Sequence, residues 1–412
     1  MIKFMKILLF LLFSISIFFR VSLTESLPYQ YQVYLILMFI LWLILDFDND
    51  NWEKIILSLF MVVGFFIIIN TNDLFVVFLG IEIQSFSFII LVSNINEKLS
   101  NIEAGLKYFI TGILSSITFL IGYLLMWYEN PYMSCISFSN GNLSGVYFIL
   151  ISFMIKLGVS PFHLWIIDVL ESCSWFLFIV FSIIPKISLI LVLTKIINYN
   201  FIIELMALLS LISGFMGALN QTKIKRLIAY SNISNMGLIL ILLKFNLLGY
   251  NQPLYLFLIL YFINSIIMLV LFKSFTKDNN PFIVNLNKLV VVNSILPLIL
   301  SLVFLSIGGI PPLSGFYSKW IIILNLINGS FFLQAFLVVI ISIFTVIYYL
   351  SIMYSVFFRR ISNYMKWSNI FLLSQENKIS YFKSSITGIL LFLSMSSIII
   401  IDLFNIVIVN IL

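Results

Sequence analysis

The sequence is divided into thirteen long apolar runs, at about 5–23, 31–47, 54–70, 73–93, 104–127, 144–170, 174–197, 201–219, 226–247, 254–275, 288–327, 331–358 and 385–411. Most are long enough to cross about 30 Å of hydrocarbon, which takes roughly 20 helical residues at about 1.5 Å each. The runs do not alternate polar with apolar residues, which argues against a membrane β-barrel. Only 9% of the 412 residues are charged and 62% are hydrophobic, whereas a soluble domain carries about 25% charge. A water-soluble monomer and a disordered chain are both excluded. The expected fold class is an all-α polytopic membrane protein.

Basic residues set the expected topology. With 288–327 taken as one interrupted crossing, fifteen bases fall on one side, including Lys3, Lys6, Lys98, Lys223, Lys225, Arg226, Arg359 and Arg360. Three (Arg20, Lys195 and Lys244) fall on the other, and Lys107, Lys156, Lys186 and Lys319 lie inside segments. The basic side is the inside. This gives thirteen crossings, an N-terminus in the matrix or cytoplasm and a C-terminus outside. The opening MIKFMKILLFLLFSISIFF has no small-x-small cleavage site, so it is read as a retained helix. Topology accounts for the net charge of +6 without nucleic acid.

Two runs are broken internally. One is interrupted at Gly158-Val159-Ser160-Pro161-Phe162-His163, the other at Gly308-Gly309-Ile310-Pro311-Pro312-Leu313-Ser314-Gly315. Proline removes a backbone donor and clashes with the preceding turn. Residues 1–53 then hold N-terminal helices, and 54–197 and 201–358 hold five helices each, the fourth broken in both. An inside loop at 359–384 and a C-terminal helix at 385–412 follow. Five is odd, so the two blocks are expected as inverted repeats. Inverted repeats with discontinuous helices are a transporter architecture, with the site near the midplane at the breaks.

Ionisable groups inside apolar runs point to an ion path. Glu82 is in mid-segment, Lys156 precedes the first break, Lys186 follows Pro185, and Lys319 follows the second break. A lysine at the bilayer centre costs about 2.5–3.5 kcal/mol on insertion scales. Losing a carboxylate partner is worth about 4 kcal/mol to a buried ammonium. Moving one charge against about 150–200 mV takes roughly 3.5–4.6 kcal/mol. Weakening a Glu82–Lys156 pair could therefore drive a proton toward Lys186, and Lys319 would hand it across. Lys156 near the negative end of one half-helix and Lys319 after the positive end of another would give the path a direction. A Glu–Lys pair that only fixes helix register is the plainer alternative. Two supporting candidates are open to either reading. Lys107 has Glu103 one turn away, as in an ordinary helix pair. His163 could shuttle protons or cap exposed backbone.

With two cysteines and one histidine, this chain cannot build an iron–sulfur cluster or a His-rich metal site alone. It has no GxGxxG or GxxxxGK[ST], so any redox or nucleotide cofactor is expected in a partner. The excess of Phe and Tyr over Gly suits an AT-rich genome such as an organelle's.

Over roughly 54–358 the chain resembles the antiporter-like membrane subunits of respiratory complex I. The resemblance is carried by FLGIEIQSFSF (78–88), EAGLKYFITG (103–112), KLGVSPFHLWIIDV (156–169), PKISL (185–189), TKIKRLIAYSNISNMGLIL (222–240) and GGIPPLSGFYSKW (308–320). It implies an antiporter-like fold, with Glu82, Lys156, Lys186 and Lys319 as the proton pathway. It also implies other membrane-arm subunits as partners, a multi-pass place in the mitochondrial inner membrane, and no cofactor in this chain. NADH, FMN, iron–sulfur clusters and ubiquinone would belong to partner subunits. A stand-alone cation/proton antiporter subunit and a structural subunit with a decayed path remain alternatives. The family plan has fourteen helices, so one N-terminal helix fewer is expected here, and Asn235 stands where homologues often have His.

Overall fold

A computed structural model of the chain describes residues 52–358 apart from 72, 94–98, 130–142, 197–200, 247–251, 276–282, 284–294 and 312. The runs at 5–23, 31–47 and 385–411, the 359–384 loop, Pro312 and Cys135 lie outside the described residues. The described residues are helical almost throughout. In chain order they form α1 (Trp52–Asn70), α2 (Leu74–Ser93), α3 (Leu99–Glu129), α4 (Leu143–Leu157), α5 (Leu164–Ser172) and α6 (Trp175–Ile196). These are followed by α7 (Phe201–Leu219), α8 (Ile224–Asn246), α9 (Gln252–Phe275), α10 (Ile295–Gly308), α11 (Ser314–Asn328) and α12 (Phe332–Phe357). Six of the helices are long and apolar enough to cross a membrane. Each half of this series has three helices, then two short ones separated by a break, then one more.

Both breaks use the same stop signal. Gly158 (φ 64°) and Gly309 (φ 86°) are left-handed, a region glycine enters without a Cβ penalty. Gly158 N–H donates to the Ile155 carbonyl and Val159 N–H to that of Met154. Gly309 N–H donates to Ser306 and Ile310 N–H to Leu305. These paired reversed bonds are the Schellman closure of a helix C-terminus. The following prolines keep the chain out of helix until α5 and α11 begin. The sequence expectation of interruption at these two places therefore holds, and it holds through glycine as much as through proline.

Packing sets the layers. α6 and α8 are inner helices, with 94% and 83% of their best spanning windows buried. α6 packs on α2, α4, α8 and α9, and α8 packs on α5, α7, α9 and α11. α6 is apolar almost all round, as such a position requires, while α8 also buries Ser231, Asn232 and Ser234. α3 is peripheral, and Leu106, Phe109, Ile110, Ile113 and Leu114 face outward on it. Its inner side crosses α4 at Gly122 and Gly145, where a Cβ on Gly122 would lie 2.7 Å from the Gly145 carbonyl oxygen. Small residues at that crossing let two backbones meet and gain dispersion contacts that lipid does not offer.

Candidate functional site

Glu82 lies halfway along α2 and Lys156 in the last turn of α4. Lys156 Nζ donates to Glu82 Oε1 at 2.6 Å across 74 residues of sequence. The side chains keep only 19% and 12% of their exposure. The Ser85 hydroxyl donates to Glu82 Oε2 at 3.2 Å. An ion pair this dry is costly to assemble and costly to cut on one side only. A short polar chain runs beside it: Ser188 Oγ on α6 donates to Gln84 Oε1, and Gln84 Nε2 donates to the Met61 carbonyl.

Lys186 sits in the middle of α6, 4% exposed. It follows Pro185, which lies within the helix and leaves the Phe181 carbonyl without its usual helical donor. None of the ion pairs among the described residues involves Lys186.

Lys319 is 6% exposed, in the second turn of α11. Its Nζ donates to the Gly308 carbonyl at 2.7 Å and to Thr345 Oγ1 on α12 at 2.9 Å. This corrects one expectation from the sequence. The ammonium does not stay by the positive N-terminus of α11, because its four-carbon stem carries it back to the last carbonyl of α10. The negative end of α10 therefore holds it, and the dipole asymmetry between Lys156 and Lys319 is not present.

A cavity of about 50 Å³ lies beside Lys319, walled by residues of α6, α8, α9, α10 and α11. Ser182, one turn before Lys186 on α6, is at one wall; Asn232, Asn235 and Asn264 line it as well. A water needs roughly 10–15 Å³ of such space and polar partners, so the cavity can hold a short file of waters. Asn235 faces this space with an amide where the resemblance expects an imidazole.

The supporting candidates divide. Lys107 pairs with Glu103 at 2.9 Å and Asp168 at 2.8 Å and is 40% exposed, as suits a half-solvated ion pair. His163 stands at the N-cap of α5 without a side-chain capping bond, and its Nδ1 is buried with no partner among the described residues. Its ring does hydrogen-bond to the Pro161 backbone, so it serves exposed backbone at the break, one of its two expected roles, without capping α5.

Sequence reasoning missed Lys225, counting it with the loop bases. It lies in the first turn of α8 and is 1% exposed. Its Nζ donates to the Cys173 carbonyl and lies 5.1 Å from the Trp175 ring centroid. The signal that could have found it is position: two residues beyond Lys223 it falls on the inward face of a helix, whereas Lys223 and Arg226 reach Glu171 at the rim.

Residues 71–345 match the family model described as NADH:quinone oxidoreductase/Mrp antiporter, TM. The chain belongs to this family. Among its relatives is NADH-ubiquinone oxidoreductase chain 2 of Metridium senile, 30% identical over 348 residues, which are 81% of this chain and 90% of the relative. NADH-quinone oxidoreductase subunit N of a Wolbachia strain is 31% identical over 334 residues, 75% of this chain and 70% of the relative. Among solved structures, a chain of respiratory complex I from Thermus thermophilus superposes with a TM-score of 0.74 at 21% identity. That match covers 87% of this chain and 82% of the other and establishes the family fold.

Proposed function

We propose that the chain is a proton-translocating membrane-arm subunit of NADH:ubiquinone oxidoreductase, of the kind its chain 2 and subunit N relatives are named for. The observation that carries this reading is the buried Glu82–Lys156 pair, with Lys186 buried at the centre of α6 and Lys319 beside a cavity that carries three asparagines. The proton is held first at Lys156, where Glu82 supports the ammonium. When that pair weakens, the proton moves to Lys186 in the low-dielectric centre. From there Ser182 and the waters of the cavity lead to Lys319, which Gly308 and Thr345 steady while it is charged. Electron transfer takes place in partner subunits that hold NADH, FMN, iron–sulfur clusters and ubiquinone. Their conformational or electrostatic signal acts on the Glu82–Lys156 separation.

In this reading 54–197 and 201–358 are inverted repeats of a thirteen-crossing, antiporter-like fold flanked by helices in 1–53 and 385–412. The basic loops, including 359–384, face the matrix, the C-terminus faces the intermembrane space, and the setting is the mitochondrial inner membrane. The matched halves of the helix order and the identical Gly-centred breaks support the repeat.

The test is Lys186→Ala and Lys319→Ala in the assembled complex, read as protons taken up per NADH oxidised. Both should lower pumping and turnover; an unchanged ratio would leave a structural subunit with a decayed path. A second reading, a subunit of a stand-alone cation/proton antiporter, is favoured by the family description itself. Purification in mild detergent separates the two, because a large NADH-oxidising assembly is expected and a small redox-inactive complex would favour the antiporter.

A further inference from the structure

Three charged side chains are buried among the described residues: Lys186, Lys225 and Lys319. The relay above uses two of them, and Lys225 is the most buried of the three. Lys225 lines neither of two spaces itself, but its neighbours in sequence and contact border both. On one side is an open vestibule of about 200 Å³ lined by Glu103, Lys107, Asp168, Glu171, Ser172 and Arg226. On the other is the cavity that reaches Lys319, with Trp175 in its wall. The short linker between α5 and α6 runs from the wall of the first space to that of the second, since Ser172 lines the first and Trp175 the second. Lys225 is seated on that linker, donating to the Cys173 carbonyl and facing the Trp175 ring.

We propose that Lys225 is a further proton-transfer residue, carrying protons between the vestibule and the cavity that leads to Lys319. The inference rests on the proton-translocation reading. In the step, the ammonium gives one proton to a water in the cavity and is left as the neutral amine. The amine then takes a proton from vestibule water, so protons and charge balance over the cycle. The competing role is that of a fixed cation at the C-terminus of α5, where carbonyls accumulate negative potential. A fixed cation needs only charge. Transfer needs a group that releases its proton, which lysine can do and arginine cannot.

The test therefore compares Lys225→Arg with Lys225→Met in the assembled complex, with Lys319→Ala alongside. The expected result is at least a fivefold loss of NADH-driven proton uptake per assembled complex in both Lys225 variants. Native uptake in Lys225→Arg with loss in Lys225→Met would overturn the proposal in favour of the fixed cation. Native uptake in both would overturn it outright, and so would failure of both to assemble, since the residue would then serve the fold. Lys319→Ala tells the two readings apart: unchanged uptake there sinks translocation itself. Loss there with native uptake in the Lys225 variants sinks only the role of Lys225.

Discussion

Replacing Glu82 with Gln isolates the energy of the buried pair. Glutamine keeps the shape and leaves the Lys156 ammonium without its carboxylate. At 2.6 Å and an effective dielectric of about 20, the Coulomb attraction is roughly 6 kcal/mol. Desolvation of both groups offsets much of this, so cutting one partner should cost about 3–5 kcal/mol net. Lys156→Met should cost a similar amount, because it strands the carboxylate. The double variant removes both charges and should be milder than the sum of the singles. The expected coupling is at least about 2 kcal/mol, on the scale of contacting residues. The assay is the thermal unfolding midpoint of the purified assembled complex, followed by loss of the assembled species rather than by proton uptake, for all four forms of the cycle. Additive singles would show that the two groups do not hold each other, and the relay would lose its first member.

Thr345→Val deletes one of the two acceptors on the Lys319 ammonium at nearly constant volume. A charge-assisted bond is worth about 1.5–3 kcal/mol, so proton uptake should slow at least tenfold in vesicle assays while the complex still assembles. Gly158→Ala forces a side chain into a left-handed turn with its Cβ 2.3 Å from Ile166 Cδ1. A loss of about 2 kcal/mol or more is expected, visible as a lower thermal midpoint, whereas a neutral result would remove the argument for the glycine stop. Lys107→Met breaks only the half-exposed pairs with Glu103 and Asp168 and should cost no more than about 1 kcal/mol for each; a collapse of pumping would return Lys107 to the path.

Much of the bundle is legible in the sequence because hydrocarbon demands long apolar helices and leaves few other choices. The two breaks are legible because Gly and Pro stand where an otherwise apolar run should continue. Glu82, Lys156, Lys186 and Lys319 could be named individually, since each is an ionisable residue surrounded by Ile, Leu and Phe. Their mutual geometry could not be read in the same way. The Glu82–Lys156 contact closes 74 residues of chain, and nothing local encodes it. Lys319 was placed by its Cα, yet a flexible stem moved its charge to the other half-helix. Lys225 was hidden because counting bases by loop treats every lysine near a helix start as solvated. The cavity amides were hidden for a different reason: Asn232, Asn235 and Asn264 belong to two helices, and only packing brings them onto one surface.

The central claim is that these buried groups share a wet polar connection through an apolar scaffold. The measurement that bears on it most directly is a map of the assembled complex fine enough to show ordered water between α6, α8, α9 and α11. Waters linking Ser182, Asn232 and Asn264 to Lys319 are the expected result. A dry cavity closed by apolar packing between Lys186 and Lys319 would contradict it.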